Sequence, residues 1–203
     1  DHELWRGDAQ ALADACTPLP HREYSIASLP GDGALHLLVR LMHHADGTAG
    51  LGSGWLCRHA QPGDAIALRI RRNPNFHPPA ADVPMILIGN GTGLAGLRAH
   101  LKARALAGAA RNWLLFGERQ RAHDAFLADE LALIQQRLHR QQQHALASHA
   151  NRLRQWVEEG AAVYVCGSLA GMAPDVDATL RRILGEDKTE ALRTAGRYRR
   201  DVY

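Results

Sequence analysis

The chain has 203 residues, 46% of them hydrophobic and 22% charged, an ordinary globular balance with room for a core. A net charge of +3 with 5% aromatic residues, and no run of Lys or Arg, argues against a nucleic-acid binder. No stretch reaches the roughly 18 apolar residues that span a bilayer. Three cysteines, Cys16, Cys57 and Cys166, give no disulfide framework and point to a reducing compartment, the cytoplasm.

The start, Asp1-His2-Glu3-Leu4-Trp5, lacks Met and any signal-peptide layout. It reads as an interior start, so further domains are expected upstream. Residues 3–15 read as a helix that Thr17-Pro18-Leu19-Pro20 ends. Arg22 to Ser28 and Leu35 to Met42 read as strands separated by the turn cluster Pro30-Gly31-Asp32-Gly33. The Gly-rich stretch Ala49 to Gly54 runs into Trp55-Leu56-Cys57, which opens a helix. After Pro62-Gly63-Asp64, Ala65 to Ile70 reads as a third strand. Strands and turns at this spacing predict an antiparallel sheet or barrel.

Between Asn73 and Pro84 the composition changes, with prolines at 74, 78, 79 and 84. A domain boundary is placed there, dividing the chain into residues 1–82 and 83–203. Met85 to Ile88 then reads as a buried strand, Leu94 to Leu106 as a helix and Trp113 to Phe116 as a strand. Ala125 to Leu138 and Leu146 to Glu158 read as helices, Ala162 to Cys166 as a strand and Pro174 to Leu184 as a helix. Strand alternating with helix predicts a parallel α/β sheet with crossover helices. A local Gln bias over residues 135–143 is too short to count as low complexity.

The strongest local signal is Ile88-Gly89-Asn90-Gly91-Thr92-Gly93-Leu94-Ala95-Gly96. It follows a buried strand and opens a helix. Glycines let the backbone approach a phosphate, and the helix start offers free N–H groups and the positive end of a dipole. Gly50-Leu51-Gly52-Ser53-Gly54 offers the same physics, but taken alone it reads as a plain flexible loop. Cys166 ends a strand before Gly167-Ser168, where ligands sit in parallel sheets; taken alone it reads as a buried, inert Cys. His43, His44, His100, His123, His139, His144 and His149 lack metal-ligand spacing, and neither H-E-x-x-H nor C-x-x-C occurs. No metal is expected.

In order along the chain, these pieces resemble the ferredoxin–NADP⁺ reductase superfamily. Arg22-Glu23-Tyr24-Ser25 resembles its R-x-Y-S flavin motif and Gly50-Leu51-Gly52-Ser53 its G-x-x-S motif. Gly89-Asn90-Gly91-Thr92-Gly93-Leu94-Ala95 resembles the pyridine-nucleotide loop, and Leu115-Phe116-Gly117-Glu118-Arg119 the F-G-x-R strand end. Val165-Cys166-Gly167 with Met172-Ala173 and Asp175-Val176 resembles the C-G…M-A-x-D-V segment. The tail Arg197-Tyr198-Arg199-Arg200-Asp201-Val202-Tyr203 resembles R-Y-x-x-D-V-[WY] and points to the diflavin branch.

The resemblance implies a fold of α/β plus β type: a partial antiparallel flavin-binding barrel in residues 1–82 and a parallel NAD(P)H-binding domain in residues 83–203. It implies FAD and NADPH as cofactors. It also implies hydride transfer from NADPH to FAD, with electrons passed to an FMN or flavodoxin-like domain or to a separate acceptor. Arg22, Gly50, Gly52 and Ser53 are then FAD phosphate residues, with Tyr24 on one flavin face and Ser25 near the nitrogen that accepts hydride. Gly91, Thr92, Gly93 and Arg119 are nucleotide residues. Cys166 and Asp201 orient the nicotinamide, and Tyr203 covers the other flavin face.

Three departures stand beside it. Only 21 residues precede Arg22, fewer than the barrel's earlier strands need. Gly96 stands where the family has Pro. The segment from Leu138 to Leu146 lacks the pattern that grips the NADP 2′-phosphate. Two rival readings remain: a flavin-free Rossmann dehydrogenase, with Glu118 lying 22 residues after Gly96 as the ribose acid, and a catalytically incomplete docking fragment.

Overall fold

The computed structural model describes residues 9–16, 19–117 and 149–203. The readings made on residues 1–8, on the helix Ala125 to Leu138, on the Gln-rich stretch, and on Glu118 and Arg119 lie outside the described residues.

Met85-Ile86-Leu87-Ile88 is an unbroken apolar run, as expected of a strand covered on both faces. It forms β1 (Met85–Asn90). The helix α3 (Leu94–Leu106) follows, after α1 (Ala9–Ala15) and α2 (Leu51–Gly54) earlier in the chain. Then come β2 (Asn112–Gly117), α4 (Ala150–Glu158), β3 (Ala162–Gly167), α5 (Met172–Leu184), α6 (Glu186–Thr194) and β4 (Tyr198–Val202). The four strands make one parallel sheet in the order β2-β1-β3-β4. The α/β expectation for the second half holds.

Alternation along each strand divides the core between the two faces. Ile86, Ile88, Val163 and Val165 pack with Leu153, Val157, Val176, Leu180 and Ile183 of α4 and α5. Met85, Leu87, Tyr164 and Cys166 pack with Leu94, Leu97 and Leu101 of α3. The chain leaves β1 for β2 on one side and returns past it to β3 on the other. The carboxyl ends of β1 and β3 therefore flank the switch point of the sheet, the place where open α/β sheets bind ligands.

Two elements were not read from the sequence. The helix α6 has only Thr189 and Leu192 buried and follows α5 across Gly185, which turns at φ 90°. The strand β4 is charged (Tyr-Arg-Arg-Asp-Val), as an edge strand tolerates.

The first half departs from its prediction. Arg22 to Ser28, Leu35 to Met42 and Ala65 to Ile70 form no regular strands; among the described residues, pairing there is limited to two antiparallel bridges, Ile26 with Leu37 and His43 with Ala49. A ladder needs a continuous partner on at least one side. Ile66, Leu68 and Ile70 lie on alternate positions and are 50%, 61% and 68% exposed, the pattern of a strand whose face nothing covers.

Cations of α3, two of them the buried Arg98 and Arg104, fix the stretch before β1 and the first half to the second half. Arg104 of α3 donates to the carbonyls of Ala80 and Val83 and to Asn112. Arg98 donates to the Ala27 carbonyl, and Lys102 pairs with Asp32 at 2.7 Å.

Candidate functional site

The glycine loop leaves β1 and enters α3 as a single tight turn, Gly91–Gly93. Gly91 sits at φ 53°, in the left-handed region that favours glycine. At Gly93 an added Cβ would collide with the backbone of Cys166 and Gly167, so only glycine lets the loop lie this close to the end of β3. The first turn of α3 thereby begins at the switch point, where the positive end of the helix dipole favours an anion; its Leu94 N–H donates to the Gly91 carbonyl and its Gly96 N–H to the Cys166 thiol.

Register brings the other residues to the same end. Gly89 lies beside Cys166, and Cys166 beside Asp201. Ser25 arrives from the first half: its hydroxyl donates to Asp201 Oδ2 at 2.9 Å, across 176 positions of sequence. Cys166 Sγ lies 3.8 Å from the same oxygen. Asn73 Nδ2 donates to Asp201 Oδ1 at 3.2 Å. Burial, and then the charge on Asp201, push the Cys166 thiol well above its ordinary range. Cys166 is therefore a neutral thiol, able to pack and to donate weakly, and not a thiolate nucleophile.

Tyr203 follows β4. Its N–H donates to the Gly167 carbonyl at 3.1 Å, and its carbonyl accepts from Leu169 N–H at 2.9 Å. Its hydroxyl donates to Thr92 Oγ1 at 3.3 Å. The residue is 53% exposed, while burial of its hydroxyl end raises the phenol's pKa, so the ring lies as a partly accessible wall over the glycine loop.

The predicted flavin residues gather separately. A Cβ on Gly52 would stand 3.0 Å from Arg22 Cγ and 3.4 Å from the Tyr24 hydroxyl, so Arg22, Tyr24 and Gly52 share one surface. Ser53 is buried, and its hydroxyl accepts from Met42 N–H at 3.0 Å and faces the Gly50 carbonyl at 3.5 Å. That side chain holds its own loop in place. Arg119 lies outside the described residues.

Three residues here were not singled out from the sequence. Asn73 steadies Asp201. Asn90 Oδ1 accepts from Ser168 N–H at 3.1 Å. The Arg40 guanidinium lies against Gly91, 3.4 Å from where a Cβ would be. Asn90 occupies a variable position of its motif, and Arg40 lies in an ordinary strand-like stretch, so neither carried a signal. Among the described residues, no group of three or more His, Cys, Asp or Glu side chains could hold a metal, and no helix is long and apolar enough to cross a membrane.

Behind the site, His100 is wedged between Phe76 and Tyr164, with ring centroids 5.1 and 5.5 Å away. Burial depresses its pKa to about 4, so the ring is neutral near pH 7.

No protein-family model matches the chain. It is similar to proteins named sulfite reductase [NADPH] flavoprotein alpha-component. The one from Neisseria meningitidis serogroup C is 33% identical over 227 residues, as is the one from Mannheimia succiniciproducens; each match takes in 96% of this chain. The one from Salmonella typhi is 33% identical over 228 residues and 97% of the chain. The chain spans 38% of the length of each of these relatives. The aligned span of 227 positions exceeds the 203 residues here, so the relatives carry segments that this chain lacks. The resemblance to the diflavin branch of the ferredoxin–NADP⁺ reductase superfamily thus holds over nearly the whole chain.

Proposed function

We propose that this chain binds FAD and NADPH and carries hydride from NADPH to FAD, with electrons leaving for an FMN or flavodoxin-like domain or a separate acceptor. The observation that carries the reading is the Ser25–Asp201–Cys166 cluster. It joins a residue of the flavin motif to the end of the nucleotide-binding sheet, beside the glycine loop. The relatives' name, an NADPH flavoprotein component, supports the same reading.

Residues 83–203 form the NAD(P)H-binding domain and residues 1–82 part of the FAD domain. An antiparallel barrel in the first part is supported by its two antiparallel bridges and by the uncovered alternation of Ile66, Leu68 and Ile70.

The residues present fit both groups. Gly91 takes the left-handed turn and Gly93 lets the loop lie against the end of β3, which sets a backbone turn with the Arg40 guanidinium beside it where a nucleotide pyrophosphate would bind. Arg22, Tyr24 and Gly52 offer one surface with a cation and an aromatic ring. FAD and NADPH supply the hydride chemistry when bound; the protein aligns them and excludes water. Arg22 holds the FAD phosphate by charge-assisted bonds, with Gly50, Gly52 and Ser53 shaping the loop beside it. Tyr24, beside Gly52, and Tyr203, beside Thr92, would flank the flavin ring. Gly91, Thr92 and Gly93 would hold the nucleotide, and the resemblance adds Arg119 to them. Asp201 keeps the Ser25 hydroxyl oriented, and Cys166 and Asp201 orient the nicotinamide.

A flavin-free Rossmann dehydrogenase would leave the Ser25–Asp201 bond without a use. The test is direct. Protein reconstituted with FAD should show a flavin spectrum that bleaches when NADPH is added without oxygen, and should then reduce ferricyanide. No flavin uptake at excess FAD would sink the reading. Uptake without bleaching would leave a docking fragment.

A further inference from the structure

The contacts around Asn90 form a closed ring. Asn90 ends β1, and its carboxamide oxygen accepts from Ser168 N–H at 3.1 Å. Ser168 is held on its far side, its hydroxyl accepting from Gly171 N–H at 3.0 Å and its carbonyl from Ala173 N–H at 3.1 Å. The two residues flanking Ser168 carry Tyr203, through the Gly167 carbonyl and the Leu169 N–H. Tyr203 then reaches back to Thr92, two residues after Asn90. Gly167 belongs to the same device: at φ 143° it leaves the space that the Asn90 carboxamide fills, and an added Cβ would collide with Asn90 Oδ1.

We propose that Asn90 is a positioning residue that clamps the loop after β3 and thereby sets how firmly Tyr203 rests over the glycine loop. The proposal rests on the nucleotide reading of that loop. A nucleotide entering beside Thr92 must displace the Tyr203 hydroxyl, so whatever steadies Tyr203 weakens nucleotide binding. Loosening the clamp therefore tightens binding. A residue that contacted the nucleotide would do the opposite.

The first arm of the test needs no cofactor. In the full chain, Asn90→Ala should speed amide hydrogen exchange at Leu169 and Tyr203 by roughly tenfold, the scale of one lost buried hydrogen bond. Leu87 and Tyr164 amides, inside β1 and β3, should be unchanged. Asn90→Asp keeps an acceptor oxygen and should restore protection. Unchanged exchange at Leu169 and Tyr203 in Asn90→Ala, or acceleration that Asn90→Asp does not reverse, overturns the proposal.

The second arm measures NADP⁺ binding at equilibrium. Asn90→Ala should lower Kd roughly three- to tenfold, and should change it less than about twofold in a chain lacking Tyr203, because the two act through one contact. A raised Kd in Asn90→Ala, or the same drop without Tyr203, overturns the proposal. If the unaltered chain binds no NADP⁺, the nucleotide reading fails, and the exchange arm alone judges the clamp.

Discussion

The two halves of this molecule obey the same chemistry with opposite results. In residues 83–203 every strand of the sheet has a hydrogen-bonded neighbour, and helices cover both faces, so Met85, Ile86, Leu87 and Val163 are fully buried. In residues 19–82 strand-like sequence makes two bridges, and Ile66, Leu68 and Ile70 stay exposed. The difference teaches that strand-like sequence is not enough to make a strand; a hydrogen-bonded partner decides. The site lies where the halves meet, its framework from the second and Ser25 from the first.

The largest effect expected comes from testing the two cores against each other. Leu97→Ala, at a fully buried α3 position, should cost about 2–5 kcal/mol. Leu68→Ala, at a position 61% exposed, should stay within about 0.5 kcal/mol. Denaturant titration of both variants checks this. Equal losses would mean that residues 65–70 are packed in solution, and the contrast between the halves would break.

A second test reads the joint through pH. His100 has a folded pKa of about 4 against an ordinary 6.5. The unfolded chain therefore binds more protons between those values. Stability from the neutral ring is fully present above pH 6.5 and is lost as pH falls toward 4, by at most about 3 kcal/mol. His100→Gln should flatten that slope in urea titrations run from pH 7 to pH 4. An unchanged slope would place the ring in water.

Smaller effects sharpen the division of labour at the site. Cys166→Ala should slow flavin reduction by NADPH about tenfold, roughly 1.4 kcal/mol in the barrier, with FAD affinity unaltered because Arg22, Tyr24, Gly52 and Ser53, the proposed flavin residues away from Cys166, lie in the other half. Stopped-flow flavin absorbance and FAD titration measure the two separately. Unaltered flavin reduction would remove Cys166 from the site.

Smallest of all is the deletion of Tyr203, the proposed cover of one flavin face, a contact worth about 0.5–1.5 kcal/mol. Binding of NADP⁺ and NAD⁺ should both tighten, by similar factors, and turnover should slow through delayed release. If neither affinity rises in equilibrium titrations, Tyr203 does not gate the site.

By itself, the sequence determined what depends on local order. The run Met85-Ile86-Leu87-Ile88 followed by Gly-x-Gly-x-Gly specifies a buried strand, a tight turn and a helix start, because apolar continuity, absent side chains and free N–H groups are properties of neighbours in the chain. Gly50 to Gly54 read as a flexible loop before a helix opening at Trp55, yet the helix already begins at Leu51; the ordered motifs pointed to the family. Tertiary structure alone decided the rest. The Ser25–Asp201 bond joins residues 176 positions apart, and no local pattern encodes it. Asn90 became a clamp because the register of β1 against β3 puts its carboxamide under Ser168. The charged stretch Tyr198–Val202 became a strand because β3 had a free edge, while Ala65 to Ile70, better suited by composition, had no partner. Hydrogen bonding between strands is a property of pairs, and a pair is legible only once the chain has brought both members together.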